Sequence, residues 1–208
     1  MEIYSKVAII TRASSGIGKA IAQDLAAARM NLVLTARSQK KLNQVAASLK
    51  KASIVATTIT DSEVPQKLVD FAMATLGRLD VVINNAGAMT VGAIEDVDIE
   101  AICQMVRLNV ESVGRMVYIA LRHFKQTRSE FLINTSSLSG LKTVPNYGAY
   151  NGTQFAVESF TNAVRMELAG TGIKVAAVDT EMSKDYPPPK LSPVEVARAT
   201  LQAMYRWH

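Results

Sequence analysis

The sequence predicts a doubly wound α/β fold with a parallel sheet, and three observations predict it. Short apolar runs rich in β-branched residues alternate with longer segments of helical period. Each run is apolar without interruption, as strands buried on both faces must be. The first run passes through a glycine-bearing turn straight into a helix, which makes the order strand, crossover helix, strand.

The elements follow in order. KVAIIT at 6 to 11 is strand 1, and GIGKAIAQDLAAAR at 16 to 29 is the first helix. NLVLTA at 31 to 36 is strand 2, followed by a helix over KKLNQVAASLKK at 40 to 51. SIVATTI at 53 to 59 is strand 3, PQKLVDFAMATL at 65 to 76 a helix, and LDVVIN at 79 to 84 strand 4, which leads into the turn NAGAM. The apolar-periodic segment 98 to 126 is long enough for one helix and carries Asn109 near its middle. Strand 5 is FLINTS at 131 to 136, the helix after it spans about 149 to 169, and strand 6 is IKVAAV at 173 to 178. A polar, proline-rich stretch, 183 to 192, then precedes a helix over VEVARATLQAMYRW. No seventh strand is visible, so strand 6 is expected at an open sheet edge.

With 208 residues, 49% of them hydrophobic, and no Pro/Gly/Ser-rich divider, residues 1 to 208 read as one domain with a sizeable core. The single cysteine, Cys103, lies in the apolar stretch AICQMV; it excludes an internal disulfide and reads as a buried thiol in a reducing compartment. No run of about 18 apolar residues occurs, which predicts a soluble, cytoplasmic protein without membrane contact. The net charge of +5 is spread over scattered residues, with Lys40-Lys41 and Lys50-Lys51 at the two ends of one predicted helix. That pattern fits a solvated surface and an anionic small molecule better than nucleic acid. His123 and His208 form no metal constellation with any motif, and both read as surface residues.

Strand 1 runs into TRASSGIG at 11 to 18, where Gly16 and Gly18 allow a tight turn and expose the N–H groups of a helix start to a pyrophosphate. A plain packing turn is the alternative, because position 21 is Ile and the common G-x-G-x-x-G spacing fails. Strand 2 ends LTARS. A ribose without a 2′-phosphate is usually held by a carboxylate there, whereas Ala36 offers none and Arg37 offers a guanidinium, so a 2′-phosphate is the better match. Arg12 is a second candidate anion contact.

These residues, with NNAG at 84 to 87 and the ordered set Asn109, Ser137 and Tyr150, resemble the short-chain dehydrogenase/reductase family over roughly residues 5 to 182. The resemblance implies a Rossmann-type dinucleotide-binding domain, NADP as the cofactor, and reversible hydride transfer with a small-molecule carbonyl or alcohol substrate. It implies a dimer or tetramer as well. By the same resemblance Asn109, Ser137 and Tyr150 are the catalytic residues. Thr11, Arg12, Ser14, Ser15 and Ile17 belong to the cofactor's turn, Asn85, Ala86 and Gly87 to its adenosine side, and Thr180 to its nicotinamide end. The roles are physically coherent: hydride delivery puts charge on a carbonyl oxygen, and two hydroxyls aimed at that oxygen stabilise it and supply a proton.

Four departures set the chain apart. Arg12 stands at the family's first glycine, Thr58 at a common aspartate, and Gln154 at the lysine four residues after the tyrosine; VAAV passes into DTEM without the usual Pro-Gly turn. On a helix Tyr150 and Gln154 share a face, so Gln154 can donate to a ribose, yet it cannot supply the positive charge that favours a phenolate. A nucleotide-binding protein with weak or absent catalysis is therefore the second reading, and a domain with no cofactor the third. Apolar positions beyond one stripe, including Val113, Val117, Leu121, Phe155, Phe160 and Val164, predict a two-fold helix contact between subunits.

Overall fold

The computed structural model describes residues 3–127, 131–180 and 191–206. Six parallel strands form one sheet in the order β3-β2-β1-β4-β5-β6: β1 Val7–Thr11, β2 Asn31–Ala36, β3 Ala52–Ala56, β4 Val81–Asn84, β5 Phe131–Ser137 and β6 Lys174–Thr180. The helices are α1 Gly16–Ala27, α2 Gln39–Ala46, α3 Val64–Leu76, α4 Ile99–Val106, α5 Ser112–Thr127, α6 Gly148–Glu167 and α7 Pro193–Arg206. The doubly wound parallel sheet expected from the sequence is the architecture found, one strand short of seven.

Alternate residues of each strand feed two cores. Ala8, Ile10, Leu32, Leu34, Val81 and Ile83 join α1 and α7 on one face, while Val7, Ile9, Val33 and Val82 join α3, α5 and α6 on the other. The β1–β4 step is where the strand order reverses, and Asp80 locks it: its buried carboxylate accepts from Val7 N at 2.8 Å and from Arg78 Nε at 2.8 Å.

Several expectations change. The segment 98 to 126 holds two α-helices joined by a π turn, Arg107–Glu111, with Asn109 inside it. Helix α2 ends at Ala46, so Lys50 and Lys51 lie in the approach to β3 instead of at a helix end. Strand β3 stops at Ala56, which leaves Thr57 to Ile59 free to line a loop. Val113, Val117, Leu121 and Val164 are 5%, 1%, 7% and 4% exposed, so they belong to the chain's own core and not to a subunit contact. Cys103 and His123 are only half-buried. β6 is the terminal strand, as expected, and the proline-rich stretch falls outside the described residues except for Leu191 and Ser192. No helix among the described residues is long and apolar enough to cross a membrane.

Candidate functional site

A cavity of about 870 Å³ opens at the carboxyl ends of β1, β2 and β4, at the reversal of strand order. Its wall contains Thr11, Arg12, Ser14, Ser15, Arg37, Ala86 and Gly87 from the predicted set. It also contains Lys41, Gln104 and Arg107, which no sequence motif singled out: Lys41 looked like half of a surface pair, and Arg107 opens the π turn that the apolar period does not reveal. Among the described residues, Arg12, Arg37, Lys41 and Arg107 line the cavity with no carboxylate beside them. Thr58 lines it too, where a carboxylate would have lowered that positive charge.

The turn after β1 is built for close backbone approach. Thr11 is buried, and its Oγ1 accepts from Asn85 N at 2.9 Å and Ala86 N at 2.8 Å, stitching β1 to the end of β4. Asn85 adds a bond from Nδ2 to the Thr11 carbonyl at 3.1 Å, so this buried amide holds the two strand ends together. Gly16 has φ +53°, and a Cβ on Gly18 would stand 2.4 Å from the Arg12 carbonyl oxygen and 2.6 Å from Asn85 Nδ2. Only glycine fits there. The N-cap of α1, Ser15, makes no side-chain cap bond and the first turn carries no acidic residue, so the helix start keeps its donors and dipole for an anion. Ile17, half-buried, packs against the core beneath the turn.

The hydroxyl cluster lies at the ends of β5 and α6. Ser137 ends β5, its Oγ accepting from Ser139 N at 3.2 Å, and Tyr150 stands in the first turn of α6, near enough to the Ser137 hydroxyl to feel it. Both are buried. Burial pushes the Tyr150 phenol above its ordinary value, the Ser137 hydroxyl opposes this, and the charge of a neighbouring Tyr147, whose ring meets Tyr150 edge-on at 6.4 Å, adds to the rise. Asn109 is held by both backbone groups of Ala88, accepting from its N at 2.9 Å and donating to its O at 2.8 Å. The same Nδ2 reaches Thr153 Oγ1 at 3.1 Å.

Thr153 is a further residue that sequence reasoning missed. Its Oγ1 donates to the Tyr150 carbonyl at 2.8 Å and accepts from Asn109 and, at 3.4 Å, from Gln154 Nε2. One donor and two acceptor sites are the whole capacity of a threonine hydroxyl, and all three are in use. Gln154 is buried, 7% exposed, with its amide turned to Thr153. Thr180 pairs with Ser137 across the sheet and gives its proton to the Ser136 carbonyl at 2.8 Å, so toward any ligand its hydroxyl can only accept. Among the described residues no group of three or more His, Cys, Asp or Glu could hold a metal ion.

Residues 6–187 match the family described as short chain dehydrogenase. An uncharacterized oxidoreductase of Staphylococcus aureus strain MW2 is 36% identical over 212 residues, spanning 97% of this chain and 92% of the relative. A short-chain dehydrogenase from Streptomyces avermitilis, known from its crystal structure, superposes with a TM-score of 0.87 at 27% identity, over 96% of this chain and 84% of that one. An actinorhodin polyketide ketoreductase variant crystallised with NADPH gives a TM-score of 0.89 at 24% identity, over 96% and 90% of the two chains, a likeness of fold.

Proposed function

The chain belongs to the short-chain dehydrogenase family, and on that premise we propose that it is an NADP(H)-dependent oxidoreductase acting on a carbonyl/alcohol pair in the cytoplasm. The observation that carries the cofactor choice is the cavity wall, whose described residues include four cations and no carboxylate. A pyrophosphate and a 2′-phosphate both suit such a wall, and Arg37 at the exit of β2 takes the place where a ribose-holding carboxylate would favour NAD(H). The uncapped start of α1 and the glycine turn fit the pyrophosphate.

The bound dinucleotide supplies or accepts the hydride. Ser137 and Tyr150 then act on the substrate oxygen: Ser137 donates a hydrogen bond, and Tyr150 passes its phenolic proton to the oxygen as charge develops there. Asn109 and Thr153 hold the start of α6 against the strip after β4, so that the phenol stays in place. A raised phenol favours the protonated form, which suits carbonyl reduction over alcohol oxidation. A panel of ketones and aldehydes, followed by loss of NADPH absorbance, tests this. Reduction of at least one carbonyl, abolished by Tyr150→Phe, is expected; no turnover of any carbonyl by a protein that binds NADPH would contradict it.

One observation favours a second reading, a family member that binds the nucleotide with little catalysis. Gln154 is neutral and turned to Thr153, so nothing on the described α6 face supplies the charge that would draw the Tyr150 phenol down.

A further inference from the structure

Arg12 combines two features that no other described residue of the cleft shares. Its backbone sits at φ +53°, in the left-handed region where the Cβ of an L side chain crowds the following carbonyl. Its guanidinium crosses from the β1 turn to the strip after β4, where Nη1 donates to the Gly87 carbonyl at 2.9 Å. Both residues line the same cavity, one from each side of the point where strand order reverses.

The backbone around Arg12 is fixed. Ala13 N donates to the Thr35 carbonyl at 3.1 Å, Thr11 is tied to Asn85 and Ala86, and the Arg12 carbonyl lies hard against Gly18. Movement is therefore left to the long side chain, which is exposed and, among the described residues, held by one hydrogen bond to a neutral acceptor. A phosphate oxygen is a better partner for a guanidinium than a carbonyl, because the bond is then charge-assisted on both sides.

We propose that Arg12 is a latch across the dinucleotide cleft: it closes on the Gly87 carbonyl, opens to admit the nucleotide, and then exchanges that carbonyl for a nucleotide phosphate. The inference rests on the reading of the cleft as an NADP(H) site. It makes Arg12 a determinant of both entry and retention, which a fixed anion contact would not be.

Stopped-flow fluorescence of NADPH binding separates the possibilities, with the unmodified protein compared with Arg12→Gly at low salt and at about 0.5 M salt, where long-range attraction is screened. Glycine accepts φ +53°, so the variant keeps the turn, and thermal unfolding checks it. The latch predicts association roughly threefold to tenfold faster in the variant at high salt and dissociation about tenfold faster, since the barrier and the phosphate contact vanish together. An arginine that merely attracts the nucleotide predicts slower association on its removal. Equal or slower association at high salt, with NADPH bound by both proteins, overturns the latch and leaves the cofactor assignment standing. Binding by the variant alone overturns the latch, since Arg12 would then never open to the nucleotide, and binding by neither protein overturns the latch and the cofactor assignment together.

Discussion

In the proposed reaction, Tyr150 and Gln154 set the chemistry at the scale of single residues. A phenol raised by burial, beside a neutral amide, should hold its proton to a higher pH than a free phenol does. Alcohol oxidation, which needs the phenolate, should therefore gain rate only on the alkaline side, while carbonyl reduction holds up through neutral pH. Gln154→Lys should move the alkaline limb of oxidation down by about one pH unit or more, each unit being about 1.4 kcal/mol of phenolate stabilisation. A pH–rate profile of both proteins checks this, and coincident limbs would contradict it. Thr153→Val removes a hydroxyl that uses its donor and both acceptor sites, at an expected cost of about 1–3 kcal/mol in unfolding free energy and a fall in kcat at little changed KM. Thr153→Ser should restore both quantities; urea unfolding and steady-state kinetics measure them. Asn109, Ser137 and Tyr150 are selected in the sequence by resemblance to the family's ordered set, and the structure links Asn109 to Tyr150 through Thr153. Thr153 itself is not, because a threonine inside a helix carries no mark that its hydroxyl meets a side chain from position 109.

At the scale of elements, the turn between β1 and α1 is the least tolerant segment. Gly18→Ala places a Cβ against backbone at Arg12 and the amide of Asn85, neither of which can retreat without parting β1 from β4. A loss of about 2 kcal/mol or more in stability is expected, with weakened nucleotide binding, and differential calorimetry reads the first. A variant as stable as the parent would show that this turn relaxes. The strands were legible to within a few residues because apolar β-branched runs have few other ways to be buried. The π turn was not: residues 98 to 126 keep an unbroken apolar period, and the extra residue shows only in hydrogen bonding. The end of α2 was misjudged for a related reason, since Lys50 and Lys51 continue a helix-favouring composition beyond the last residue that finds a packing partner.

At the scale of the whole molecule, periodicity could not tell an inner helix face from an outer one. The apolar positions of α5 that suggested a subunit contact fill the core under the sheet, whereas Tyr118, Phe155 and Met166 are 56%, 41% and 77% exposed. Phe155 and Met166 are three helical turns apart on one stripe of α6, so if the chain dimerises through its helices this is the face to use. Light scattering coupled to gel filtration is expected to give a dimer or tetramer that Phe155→Glu weakens. A monomer at tens of micromolar, or an assembly indifferent to that change, would place the account of assembly in error. The cofactor assignment also belongs to this scale, because it rests on charge gathered from β1, β2, α2 and the π turn around one cavity. Calorimetric titration of NADPH and NADH into the unmodified protein tests it most directly. A charge-assisted contact from Arg37 to the 2′-phosphate, worth roughly 1.5 to 3 kcal/mol, predicts NADPH binding at least about tenfold tighter than NADH. Equal affinities, or a preference for NADH, would contradict it.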